Sequence, residues 1–483
     1  MSGLTDGGLV NSTPTAVNVD AIAQGNSALA YPNTTAIKVD TFSNYPSATN
    51  QNTSVLNGSS NYPFLTINGN RGTALLNVSA TPTGDAATKI IIESGAIGKA
   101  RVTLGTNDNS STTTMLNAPN GYVANVGATA IKCQITTTGV VDTLANVALD
   151  LFMWEGISGA TYKEYTYYLR QDSTNTSAYQ ERASSGEWMT LMIRPGDWGG
   201  GGLTGNAQGA ISLGAVASGA DAARTSYVQF SDVYFNVKQK PSFTFGFDNN
   251  SDTHYTLAFP YLKKRGVKGQ LYCIPRSWGN AGVMTYAQVK EMADAGWGIG
   301  FHGNSSGSIN DTTNGFWGHT YDEIYNDAAQ DINILKGIKS TSSNGWQHGA
   351  WPLGKFDSNG RRALKDLGIL TMRETGSTNA SGFPLAKANQ YWIYGNGAFA
   401  VYPLPTSVTW QGLKQAIDDT VTRGAHLEIW GHTINSNTNA NGDSIYSLLK
   451  QAVDYICGLR DSGQCLILTA EERYNKFIVN SAI

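Results

Sequence analysis

The chain has 483 residues, a net charge of -3 and only 14% charged residues. That length exceeds what a single hydrophobic core organises, so several domains are expected. The low charge, with no basic stripe, argues against nucleic acid as a partner, and no apolar run approaches the ~20 residues of a membrane span.

The 54 glycines and heavy use of Ser, Thr and Asn predict turns and β structure in the first half. The 11 Trp and 23 Tyr are rings of the kind that stack on sugars, although core and interface packing accounts for most of them. Cys133, Cys273, Cys457 and Cys465 form no C-x-x-C pair and read as free buried thiols, with a Cys457–Cys465 bridge as the alternative. The opening M-S-G-L-T-D-G-G lacks the basic and apolar regions of a signal peptide; the chain is expected either to be made without export or to have lost its signal.

Residues 1–60 are rich in Ser, Thr, Asn, Ala and Gly and read as an attachment segment that orders in an assembly, or as a disordered lead. Residues 61–238 carry short strand candidates at 89–93, 146–154, 161–169, 187–194 and 226–237, separated by turns such as the glycine run at 199–202. Many short strands with few helix signals predict an all-β sandwich or jelly roll, serving as a carbohydrate-binding or oligomerisation module or as a spacer. The K-Q-K-P run at 238–241 is the expected linker, and a second domain is expected over 242–483.

That second domain opens on residues 243–256, F-T-F-G-F-D-N-N-S-D-T-H-Y-T. Phe243, Phe245 and Phe247 alternate with small residues, the period of a buried strand, and Asp248, two asparagines, Asp252 and His254 gather where it stops. A helical run at 255–264 ends at Gly266, and a strand follows at 267–274. Capping-box signals at Thr285, Thr320 and Thr469 start three further helices. Strands are expected at 297–301, 347–351, 369–372, 426–430 and 465–468. Strand and helix thus alternate about seven times, which predicts a parallel sheet or a (β/α) barrel. Asp248, His302, Pro352, Arg373 and His432 each fall at or just past a strand end. In a barrel those ends open onto one face, so the five positions are expected to converge.

Residues 242–476 resemble the polysaccharide deacetylases, the NodB-homology or carbohydrate esterase family 4 group. The family's T-F-D-D-G motif is matched by Gly246-Phe247-Asp248-Asn249-Asn250, and its second motif is approached by M-T-Y-A-Q-V-K-E-M-A-D-A-G-W-G-I-G-F-H at 284–302. Trp351-Pro352-Leu353-Gly354 is similar to the third motif, and the apolar strand ending at His432 is similar to the last. The resemblance implies a distorted (β/α)7-like barrel with Asp248 as general base, His432 as general acid and His302 as a ligand of a divalent metal, zinc being the expected ion. It also implies an acidic ligand at position 249 and an imidazole at position 306, where this chain has Asn249 and Ser306. That loss weakens the expected metal site, for which Asp252, His254 and His319 are replacement candidates. The family's usual motif-three arginine is replaced by Ala350, and Arg373 is expected to orient Asp248 instead, with a salt bridge on a helix face as the alternative. Trp351 and Trp392 are candidates for a sugar platform, with core packing as the alternative.

The resemblance implies acetyl removal, O- or N-linked, from an acetylated polysaccharide such as capsule or O-antigen. The alternative is a degenerate domain that binds cell-surface glycan. The unusual lead suggests a virion-associated tail spike or fibre, assembled as a homo-oligomer with a trimer as the expected form. A secreted, extracellular enzyme is the rival setting.

Overall fold

The computed structural model describes residues 240–303, 315–338, 344–373, 409–423, 426–435 and 444–479, with strand segments between residues 37 and 237 and at 392–393. In the first half those segments pair antiparallel. One sheet holds Gly72–Ala80, Ala86–Ile92, Thr225–Val237, Ala128–Thr138 and Trp188–Ile193, and another holds Phe64–Gly69, Gly98–Leu104, Ile211–Ala217, Val147–Glu155 and Thr161–Tyr168. How the two sheets pack, and with it the expected sandwich or jelly roll, lies outside the described residues, as does most of the expected attachment segment.

The C-terminal domain is built on parallel strands. They are β1 (Ser242–Asp248), β2 (Gln270–Cys273), β3 (Gly298–Phe301), β4 (His348–Ala350), β5 (Thr371–Arg373), β6 (Trp392–Ile393), β7 (His426–Gly431) and β8 (Leu466–Ile467). Their order is β6-β5-β4-β3-β2-β1-β7, with β8 pairing the start of β1. Consistent with the expected distorted (β/α) barrel, the sheet curls as a half-barrel, and among the described residues β6 and β7 do not pair. Helices connect the strands: α1 (Phe259–Lys264), α2 (Tyr286–Asp294), α3 (Tyr321–Lys336), α4 (Ser358–Asp366), α5 (Trp410–Arg423), α6 (Ile445–Asp461) and α7 (Ala470–Arg473).

The helix starts follow from local chemistry. Thr285, Thr320 and Thr469 each accept from the backbone of the third helical residue, whose side chain returns a bond to the cap. Ser444 caps α6 in the same way with Ser447, a serine pair the Glu/Gln pattern does not flag. The run at 255–264 is not one regular helix: a wide π turn, His254–Ala258, runs into α1. Such turns often mark functional sites.

Alternation along the strands sorts the residues into two faces. Phe243, Phe245 and Phe247 point to the helical layer, where Phe247 stacks on Trp297 with ring centroids 5.4 Å apart. Leu271, Ile299, Phe301, Met372, Leu427 and Ile429 continue that apolar core. The opposite face is also buried, yet polar. Ser242 Oγ lies 2.9 Å from His426 Nδ1, Thr244 donates to the Leu468 carbonyl at 2.8 Å, and His348 Nδ1 lies 2.7 Å from Thr371 Oγ1. Gly246 belongs to this inner face; a Cβ there would meet Glu428 Oε1 at 2.5 Å, so the glycine makes room for the glutamate. All four cysteines are free and buried, and burial pushes the Cys273 thiol up.

Candidate active site

Asp248 ends β1 and is 1% exposed. The chain then turns sharply: Asn249 and Asn250 have φ of 66° and 56°, the left-handed region that asparagine tolerates better than most residues. Asn250 is buried and fixes the turn by donating to the Ile274 carbonyl at 2.8 Å and to Ser277 Oγ at 3.1 Å. Asn249 is exposed.

Arg373, at the end of β5, reaches across the half-barrel to Asp248. Its Nη2 donates to both carboxylate oxygens, at 2.6 and 2.5 Å, and the arginine has no exposed surface. Its Nε lies 3.2 Å from Glu428 Oε1, so one cation sits between two buried carboxylates. The guanidinium is sandwiched by rings, its Cζ 4.0 Å from the Trp430 centroid and 4.9 Å from that of Tyr272. Burial pushes the Asp248 carboxyl up, but the Arg373 charge outweighs burial and holds it below the usual carboxylate value. Glu428 has the opposite outcome: burial prevails and its carboxyl is pushed up to about 7.

His302 follows β3 and is buried. Its Nδ1 lies 2.9 Å from the Ala350 carbonyl oxygen, which only an N–H can satisfy. Burial lowers its pKa against the pull of Asp248, so the ring is neutral and Nε2, 3.8 Å from Asp248 Oδ2, presents a lone pair. His432 follows β7, its ring edge-on to Trp430 with centroids 5.7 Å apart. Its carbonyl accepts from Nε2 of the buried His254, whose pKa burial lowers to about 4. Thr253 Oγ1 accepts from the Ile434 backbone at 2.9 Å, so the π turn after β1 is tied twice to the loop after β7. The site is therefore an ionised carboxylate, charge-balanced by Arg373, with imidazoles from the ends of β3 and β7, a set suited to moving a proton from water.

A family model, polysaccharide deacetylase, matches residues 236–372, the stretch that holds Asp248 and His302. That match supports a polysaccharide deacetylase domain in the C-terminal half. Solved structures similar to the chain include a Streptococcus pyogenes deacetylase bound to acetate, at 20% identity and TM-score 0.24, covering 28% of this chain and 56% of that one. A family 4 carbohydrate esterase from Streptomyces lividans, also with acetate, is 11% identical at TM-score 0.28, with 47% and 91% covered. A xylanase's esterase domain from the hindgut metagenome of Trinervitermes trinervoides is 12% identical at TM-score 0.31, with 49% and 91% covered. No curated protein matches the chain in a sequence search.

Within the deacetylase domain, the metal that the family implies has a mixed set of donors. His302 Nε2 is a suitable nitrogen, with its other nitrogen engaged by a carbonyl. Both Asp248 oxygens are held by Arg373, Asn249 offers a neutral amide, and Ser306 lies outside the described residues. Among the described residues no group of three His, Cys, Asp or Glu gathers as a metal would require. These donors do not fit a tightly held zinc ion.

The remaining candidates fall elsewhere. His319 precedes α3 and lies 3.9 Å from Glu323 in its first turn, on a different element from the Asp248 group. Asp252 opens the π turn, with its backbone N–H bonded to the Gly282 carbonyl. Trp351, a candidate platform, has no exposed surface: it stacks on Phe356 at 4.3 Å and meets Phe316 edge-on. A ring with no exposed surface belongs to the core. The backbone of Trp392 lies in β6, and its side chain is outside the described residues.

Glu428 and Tyr272 were not singled out by the sequence. Both sit inside strands, where a side chain reads as core, but a glutamate in the apolar run H-L-E-I-W-G was a visible signal.

Proposed function

We propose that the deacetylase domain hydrolyses acetyl groups from a polysaccharide. The observation that carries the reading is the buried Asp248 carboxylate, kept ionised by Arg373 and facing the bare Nε2 of His302. Ionised, Asp248 takes a proton from water; each of its oxygens keeps a lone pair beyond those used by Arg373. His302 Nε2, an acceptor beside it, orients the same water. The water oxygen bonds to the acetyl carbonyl carbon, the bond to the sugar oxygen or nitrogen breaks, and His432 protonates the departing group. Acetate and a free hydroxyl or amine result.

An O-acetyl ester has the better leaving group and needs less assistance from a Lewis acid. The donor set at positions 249 and 302 therefore favours O-deacetylation. The reading extends to a bacterial surface polysaccharide as substrate, an extracellular or tail-associated location and a homo-oligomer, supported by the composition of residues 1–60 and the low share of charged residues. One observation favours a second reading, glycan binding without turnover: the amide at Asn249 and the hydroxyl at Ser306 stand where the family places ligands. Acetate release assayed on O- and N-acetylated glycans tests the proposal. Release from O-acetylated glycan is expected, and no release from either substrate ends it.

A further inference from the structure

The inner face of β7 carries His426, Glu428 and Trp430 at alternate positions, and His432 follows the strand end. His432 is partly exposed, while Glu428 lies within the strand. Yet it is fully buried, and Gly246 leaves it room. Its counter-charge is Arg373, whose Nε is 3.2 Å from Glu428 Oε1 and whose Nη2 spends itself on Asp248. A guanidinium held at one nitrogen can pivot about that contact. Bonded to Asp248 at Nη2, drawn to Glu428 at Nε by an ion pair that lacks hydrogen-bond geometry, and clamped between the rings of Trp430 and Tyr272, it is confined to one orientation.

We infer that Glu428 is a positioning residue: from the inner face of β7 it fixes the Arg373 guanidinium and, through it, the Asp248 carboxylate. The inference rests on the reading of Asp248 as the general base. It differs from a packing role in what it requires of position 428, which is an oxygen facing Arg373 Nε rather than volume. The groups that share this interior are Asp248 on β1, Tyr272 on β2, Arg373 on β5 and Arg473 on α7, the last drawn down to about 10 by burial.

The test compares Glu428→Met with Glu428→Gln in the full chain, since the two side chains have similar volume. Misplacing a base by a fraction of its reach costs about 100-fold in turnover. The expected result is therefore a fall in kcat of about 100-fold for E428M and about 10-fold for E428Q, which keeps an oxygen toward Nε, with KM changed less than about threefold in both. The arginine Nε–H proton, followed by nitrogen-15 NMR, is expected to exchange slowly in the parent and in E428Q and rapidly in E428M. Equal kcat in parent and E428M, or Nε–H exchange that is the same in all three proteins, overturns the inference. If E428M does not fold, the slowed turnover of E428Q at unchanged KM, or its absence, decides. If the parent and Asp248→Asn release acetate equally, the underlying reading has failed instead, and the exchange measurement still decides whether Glu428 fixes Arg373.

Discussion

Replacing Arg373 with methionine removes the one cation lodged between Asp248 and Glu428, both of which stay buried. Breaking a buried pair from one side costs roughly 3–5 kcal/mol, because an uncompensated charge remains. For a domain of this size that corresponds to a fall in Tm of about 10 °C. The effect depends on pH in a definite direction. In the parent, Asp248 titrates below its unfolded value, so its pairing stabilises the fold above that value and the contribution is lost as pH falls through the lower, folded one. In R373M burial acts unopposed, the folded value rises above the unfolded one, and ionisation now opposes folding. The gap in Tm between parent and R373M therefore widens from pH 5 to pH 8. Thermal unfolding of both proteins at the two pH values, followed by tryptophan fluorescence, measures it. A gap that is absent, or that narrows with rising pH, refutes the assignment of Arg373 as the group that keeps Asp248 ionised.

Two further outcomes follow from the site. Asn249→Asp puts a carboxylate on the exposed left-handed turn after Asp248, so calorimetric titration should show tighter zinc binding than in the parent; unchanged affinity would place position 249 outside any metal site. Trp351→Phe should lower Tm by trimming a packed indole while leaving KM for glycan within about twofold, since the ring has no exposed face. A KM raised about tenfold at unchanged Tm would return Trp351 to the sugar platform.

Much of the fold is legible in local chemistry. The Phe243, Phe245, Phe247 alternation announces a buried strand, and the threonine capping boxes mark helix starts that the structure reproduces. Asp248 and Arg373 stand out because strand ends of a parallel sheet share one face, which is enough to bring together residues 125 positions apart. What the sequence conceals is the second face of the strands. Period-2 reasoning assigns the residues between the phenylalanines to solvent or to small fillers, whereas curling the sheet buries them against each other. Glu428, Tyr272 and His426 therefore read as strand interior and not as partners. Trp351 shows the converse: an aromatic near a motif is equally a platform or a core residue until its neighbours, here Phe356 and Phe316, are known. Asn249 reads as a lost ligand from the motif alone; the turn adds that its backbone is left-handed, which asparagine tolerates well.

The central claim is that the carboxylate at position 248 does chemistry. Acetate released from an O-acetylated glycan by the parent protein and by Asp248→Asn, with glycan binding measured alongside, tests it most directly. Loss of about a thousandfold in turnover with binding retained is the expected result, the scale of a missing general base. Equal turnover in the two proteins, or none in the parent, contradicts it.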